Sequence, residues 1–370
     1  MRYFITPALL LVPYFGLLTG CGGGGSEASV APVGQVAATP VDAAVVAVRS
    51  DALVPGQLVL AGTAAVNPIS AISDSNRIVA ATTTAQSVTN ACAPIRPFYW
   101  EIGNKSAKSV SGSVKSSSST TTITATMPMS IASASKWVYG AYVVEKRNGA
   151  LSANDFLMLG MRGGYTSFAS CLQNQSVDSC LAYGTNGVFN ATTSGKFDYG
   201  GGHMQKHASL LGLGGLNNKT LATEIRSVIG ADLTFGYSQP QLAGGIFTTA
   251  DSYARFLRKI MSGQLKMGAA LGSNPVCTNR ASCPVGQVVY TPVPSTESWH
   301  YSIGHWVEDD PKLGDGAFSS PGAYGFYPWI DASRTAYGIV ARTVPGPGGG
   351  VESVGCGRLI RKAWLTGIAS

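Results

Sequence analysis

Within Ile131-Ala132-Ser133-Ala134-Ser135-Lys136 a serine precedes a lysine by three residues, and Lys136 is the one lysine of the sequence so placed. A serine hydroxyl is a poor nucleophile until a neighbouring base takes its proton, and a lysine whose cationic form is disfavoured by burial or like charge can be that base. The spacing puts both side chains on one face if the segment is the first turn of a helix, where backbone N–H groups also point outward. Chance supplies about one Ser-x-x-Lys in a serine-rich chain of this length, so the pair alone also fits a serine and lysine capping a surface helix. His203 and His207 are four apart, a spacing that could present two imidazoles to a metal, but the glutamate of H-E-x-x-H is missing. They read as polar or partly buried histidines, and no metal site is expected. His300 and His305 fall in an aromatic run with Trp299 and Trp306 and read as packing. No G-x-S-x-G elbow or Walker A loop occurs.

The element that must carry Ser133 and Lys136 is a helix over 133–146, with Trp137, Ala141 and Val144 on one face and Asn148-Gly149 as its stop. A strand-like run over 97–103 opens the ordered part, and the alternating residues 122–126 read as a second strand. Between 151 and 290, short helical segments sit among glycine-rich loops. The clearest covers 248–261, where Thr248-x-x-Asp251 resembles a capping box ahead of Phe256, Leu257 and Ile260. Aromatic and branched runs over 299–307, 324–330 and 336–341 then read as strands, and 351–366 as a closing helix. Strands at both ends with helices between them predict one sheet built from N- and C-terminal segments.

Hydrophobic residues make up 45% of the 370 residues and charged residues 12%, a globular composition rather than a disordered one. The net charge of +7 is scattered without a basic run, so no nucleic-acid partner is expected. Arg2 is the single charge before an apolar stretch over 8–18, too short to span a bilayer but suited to an export signal. That stretch ends in Leu18-Thr19-Gly20-Cys21, which resembles a bacterial lipobox and implies a signal peptide over 1–20 and lipidation of Cys21. Gly22 after the lipidated position implies, by the Gram-negative sorting pattern, a bacterial envelope protein anchored in the outer membrane. Residues 21–90 are expected to be a flexible tether, beginning Gly-Gly-Gly-Gly-Ser, and 91–370 one domain. The six other cysteines allow fifteen connectivities. Local pairs Cys171 with Cys180 and Cys277 with Cys283 would staple loops, leaving Cys92 to meet Cys356.

Several segments follow one another along the chain. Met129-Ser130-Ile131-Ala132-Ser133-Ala134-Ser135-Lys136 is followed by Asn148-Gly149-Ala150-Leu151-Ser152-Ala153-Asn154-Asp155 and by Phe197-Asp198-Tyr199-Gly200-Gly201. Gln241-Leu242-Ala243-Gly244-Gly245-Ile246-Phe247-Thr248-Thr249-Ala250-Asp251 and Phe318-Ser319-Ser320-Pro321-Gly322-Ala323-Tyr324-Gly325 come next. This succession, over about 95–366, resembles the serine beta-lactamase and DD-peptidase superfamily in its class C and esterase branch. The resemblance implies an α+β fold: a mainly antiparallel sheet flanked by helices, with an inserted helical region over about 146–290. It also implies Ser133 as acylated nucleophile, Lys136 as its proton partner and Tyr199 as general acid/base. The oxyanion hole would use the N–H groups of Ser133 and Ala323, and Gly201, Ser320 and Gly322 would face substrate. No cofactor is implied.

Two departures matter. Gly201 stands where the family's Tyr-x-Asn motif has asparagine, and Ser320 where the last motif has a cationic or imidazole residue. Both losses argue against penicillin breakdown and suit an esterase or amidase with a less anionic substrate. The partner is then a small ester or amide, or a peptidoglycan-derived peptide. A catalytically degenerate envelope-binding protein of the same fold is the alternative.

Overall fold

The computed structural model describes residues 72–370; the leader, Cys21 and most of the expected tether lie outside the described residues. Order begins earlier than the sequence suggests, because the supposed end of the tether is helix α1 (Asp74–Gln86). Ser73 caps it by accepting the Asn76 N–H, and its buried stripe is Ala80, Ala81, Thr84 and Ala85. With small residues alone on that stripe, no large apolar repeat marks the helix in the sequence.

The chain then runs through β1 (Phe98–Gly103), β2 (Lys108–Val114), β3 (Met129–Ser130), α2 (Ser135–Lys146), α3 (Ala153–Leu159) and α4 (Val177–Leu181). There follow β4 (Phe197–Asp198), α5 (Gly202–Ala208), α6 (Asn218–Ile229), β5 (Phe235–Tyr237), β6 (Ile246–Thr248), α7 (Ala250–Met261) and α8 (Met267–Ala270). The last part holds β7 (Val276–Cys277), β8 (Val288–Tyr290), β9 (His300–Tyr301), β10 (Trp306–Glu308), β11 (Ala317–Ser319), β12 (Tyr327–Ile330), β13 (Tyr337–Ala341) and α9 (Gly349–Thr366).

Eight strands form one sheet in the order β2-β1-β13-β12-β11-β10-β9-β7, so its two N-terminal strands join C-terminal ones across the β1–β13 pair, as the sequence predicts. The pairs in this sheet are antiparallel, yet β1 and β13 are buried along their whole length. Helices on both faces are the reason. Alternate residues of a strand point opposite ways: the Tyr337 hydroxyl accepts from Arg258 of α7 at 2.7 Å, while Val340 lies where a side chain on Gly357 of α9 would fall. α1 backs α9, where Arg77 donates to the Trp364 carbonyl at 2.8 Å.

Two expected strands come out differently. Residues 122–126 are irregular, with Ile123 plugged into the core and its carbonyl accepting from the Ser113 hydroxyl; β2 takes the edge position instead. The run 299–307 is a hairpin, with β9 and β10 paired through Tyr301 opposite Trp306. Gly304 makes its turn at φ 72°, and a Cβ there would fall 2.4 Å from the Lys136 carbonyl, so the hairpin tip sits directly on α2. Three disulfides join Cys92 to Cys356, Cys171 to Cys180 and Cys277 to Cys283.

Candidate active site

Ser133 lies in a single 3-10 turn, Ala132–Ala134, that leads straight into α2. Ala132 just before it holds φ 42°, a left-handed conformation costly for a residue with a Cβ and persistent only where surroundings enforce it. The enforcement comes from several sides. β3 pairs with β6, the Ile131 N–H donates to the Ile246 carbonyl at 3.1 Å, and the Ile246 N–H donates to the Ser135 hydroxyl at 3.1 Å. From α7, Tyr253 donates its hydroxyl to the Ala134 carbonyl at 2.9 Å.

Within this frame Lys136 Nζ lies 2.9 Å from Ser133 Oγ and donates to the Ala243 carbonyl at 2.9 Å. Ala243 belongs to the Ala-Gly-Gly segment, whose second glycine turns so tightly that a Cβ on Gly245 would sit 2.4 Å from the Gln239 carbonyl. Lys136 is 5% exposed with no carboxylate bonded to it among the described residues, and burial brings its amine down to about 7. A large fraction is therefore neutral near pH 7 and able to take a proton.

Tyr199 follows β4, which pairs parallel with β8; its N–H donates to the Tyr290 carbonyl at 3.0 Å. Its ring lies 5.0 Å from Trp306 and 5.7 Å from Tyr301, and Lys136 Nζ sits 4.6 Å from its centre. Burial pushes the Tyr199 hydroxyl up to about 12, against hydrogen bonding from Ser133 and Trp306. Desolvation acts oppositely on the pair because it disfavours whichever form is charged. Both groups are driven toward neutrality, which leaves the amine able to accept a proton and keeps the phenol protonated. A phenol held protonated in this way can donate or pass on a proton, within the general acid/base role that the resemblance implies for Tyr199.

The loop after β11 brings in the third motif. A Cβ on Gly322 would lie 2.1 Å from the Ile131 carbonyl, so only glycine lets this loop touch the segment that carries Ser133. Ser320, expected to face substrate, is 1% exposed and donates its hydroxyl to the Ser133 carbonyl at 3.1 Å. It fixes the position of Ser133 rather than lining the cleft. At Gly201 a Cβ would come within 2.8 Å of the Phe168 ring, which fills the space an asparagine would need. Phe168 rides on a loop tied down by Asn186, whose side chain accepts from the Ala169 N–H and donates to the carbonyls of Ser170 and Cys180. The Cys171–Cys180 disulfide closes the same loop.

Two cavities open beside Ser133, one of about 460 Å³ and one of about 400 Å³. Ser133, Tyr199 and Ala323 are the residues common to both linings. The histidines stand apart from this junction. His203 bonds the Asp198 carbonyl at 3.0 Å, and His207 bridges Asp155 at 2.8 Å and Tyr139 at 3.0 Å. His305 stacks on Trp137 at 5.4 Å, in agreement with a packing role, and His300 pairs with Asp309 at 2.7 Å.

No protein-family model matches the sequence, and no curated protein matches it. Solved structures do match in fold. A protein from Bacteroides dorei assigned to the beta-lactamases superposes with a TM-score of 0.50 at 19% identity, covering 71% of this chain and 93% of its own. EstCE1, a hydrolase with promiscuous acyltransferase activity, gives 0.51 at 13%, covering 80% and 100%. The fold is that of the beta-lactamases and DD-peptidases. D-amino acid amidase from Ochrobactrum anthropi, solved with L-phenylalanine amide, gives 0.52 at 10%, covering 78% and 98%. At such identities the likeness establishes the architecture and leaves the reaction to be argued from the site.

Sequence reasoning missed three parts of this site. Phe168 gave no signal, because it follows no motif and reaches Gly201 only through its stapled loop. Trp306 was assigned to packing, and it does pack, but on Tyr199. The Ala243 carbonyl lay inside a quoted segment, but a backbone acceptor for Lys136 has no residue-type signature.

Proposed function

We propose that this protein is a serine hydrolase that cleaves an ester or amide through an acyl-enzyme on Ser133. The observation that carries the reading is the junction: the two cavities share Ser133, Tyr199 and Ala323, three residues assigned to nucleophile, proton transfer and oxyanion binding by sequence resemblance. A scissile bond spanning both cavities passes over that point. The neutral Lys136 amine, 2.9 Å from Ser133 Oγ, accepts the hydroxyl proton as the oxygen bonds to the carbonyl carbon. The carbonyl electron pair moves onto its oxygen, which accepts hydrogen bonds from the Ser133 and Ala323 N–H groups. As the tetrahedral centre collapses, the proton passes from the lysine through the Tyr199 hydroxyl to the departing oxygen or nitrogen. Water then attacks the acyl carbon as Lys136 takes its proton, and the bond to Ser133 Oγ breaks, the proton returning to Oγ as the acid leaves.

The leader and Cys21 support a lipid-anchored envelope location, which a globomycin-sensitive shift in apparent mass would test. The reaction itself is tested by treating the detergent-solubilised chain with a fluorophosphonate and, separately, a fluorescent penicillin, and locating adducts by mass spectrometry. A fluorophosphonate adduct on Ser133 that vanishes in Ser133→Ala is the expected result. Tyr199→Phe should keep the packing on Trp306 yet lower ester turnover by about 100-fold or more. No adduct on folded protein overturns the reading and favours a binding protein of the same fold.

A further inference from the structure

The cavities that meet at Ser133 differ in chemistry. The larger, about 460 Å³, falls within the range of small-molecule sites and is walled by Trp299, Trp306, Pro292, Val293 and Val354. Val351 also lines it and is 55% exposed. Its charged lining residues, Glu297 and Arg358, bond each other at 2.8 Å, and Arg358 also reaches Glu308 at 2.9 Å and lies 4.8 Å over the Trp299 ring. Glu308 is shared with Arg361, which in turn binds Asp315. The two charges on the cavity wall thus cancel each other, and Arg358 is further held by the buried Glu308, so the wall carries no net charge to recruit an anion.

The second cavity, about 400 Å³, presents Ser238, Gln239 and Gln241 beside Phe168. Lys136 is its one charged lining residue, and that amine is taken up by Ser133 and the Ala243 carbonyl. Side-chain amides and hydroxyls both donate and accept, so this wall suits neutral hydrogen-bonding groups.

We propose that the substrate is an uncharged, two-part ester or amide: on one side of the scissile bond a bulky apolar group of ring size fills the tryptophan-walled cavity, and on the other a neutral hydrogen-bonding group lies against Gln239 and Gln241. The inference rests on the serine hydrolase reading. A group that fills the apolar cavity is worth at least tenfold in kcat/KM over one that leaves it empty, because the ring leaves water only when it enters.

The full chain is assayed with both orientations of such a substrate, benzyl N-acetylglycinate and the 3-phenylpropanoyl ester of glycolamide. Ethyl acetate and the anionic monobenzyl succinate are the comparators. One of the two-part esters should exceed both comparators in kcat/KM by at least tenfold. Val351→Trp, a change at a half-exposed position that narrows the cavity, should collapse the ratio between that ester and ethyl acetate. Equal rates for monobenzyl succinate, or a ratio that Val351→Trp leaves unmoved, overturns the substrate class while fluorophosphonate labelling of Ser133 still stands for the hydrolase. Absence of that labelling overturns both together.

Discussion

Titrating Lys136 should switch the nucleophile on and off near neutrality. Burial disfavours the ammonium and lowers the amine to about 7, so the free base is the form present above that pH and is lost as pH falls through it. About half the chains then carry free amine at pH 7, about 9% at pH 6 and about 1% at pH 5. A solvated lysine titrating near 10.4 would offer roughly 0.04% at pH 7, so burial raises the reactive fraction by about 1000-fold. The assay is the second-order rate of fluorophosphonate labelling at Ser133 between pH 5 and 9, since the probe itself does not titrate there. Its logarithm should rise with unit slope below about pH 6 and level off above about pH 8. Tyr199, pushed up to about 12, adds no second inflection in that range. Lys136→Arg, which cannot lose its proton, should remove the pH dependence along with most of the rate. A flat profile in the unmodified protein, or one still climbing steeply at pH 9, would refute the base assignment.

The same shift makes Lys136 a stability liability. Between about pH 7 and 10.4 the unfolded chain binds the proton that the folded chain lacks, so stability rises with pH across that window. Lys136→Met should therefore abolish labelling yet gain stability on the parent at pH 6, by roughly 5 kcal/mol at most before its two lost hydrogen bonds are counted, and the gain should shrink toward pH 10 in denaturant titrations. Replacing Cys92 and Cys356 by alanine opens a closure of sequence separation 264 and should cost about 3–5 kcal/mol. Opening Cys277–Cys283, separation 6, should cost less; equal losses in thermal unfolding would contradict the chain-entropy argument. Gly201→Asn should lower the melting temperature because its Cβ meets Phe168 at 2.8 Å, and adding Phe168→Ala should cost less than the two single changes summed. Simple additivity in that cycle would show that the ring does not occupy the missing amide's space.

How much could be read in advance depended on whether a feature was local. The α2 helix was legible because Trp137, Ala141 and Val144 repeat along one face and Asn148-Gly149 supply the left-handed stop, at φ 52° and 85°. Two cysteine pairs followed from short separations, and Cys92 with Cys356 was what remained. α1 was not legible, since alanine and threonine bury a stripe without a large apolar signal. The false strand over 122–126 alternated correctly, but pairing is decided by neighbours: the Ser113 hydroxyl holds the Ile123 carbonyl at 2.6 Å, and the ladder to β1 goes to β2.

By itself the sequence determined which side chains could do chemistry, Ser133 with Lys136 three residues on, and the helix α2 that Ser133 leads into. It also determined the order of motifs and the two-ended origin of the sheet. Their electrical state was decided only by the tertiary structure, because a lysine becomes a base through what surrounds it. The Ala243 carbonyl and the Tyr199 ring arrive from two distant segments to crowd the Lys136 amine. The reversal of Ser320 from substrate wall to support, and the filling of the space beside Gly201 by Phe168, have the same origin. Residue type fixes what a group can do, while burial and contact, which depend on chain segments meeting in space, fix which of those things it does.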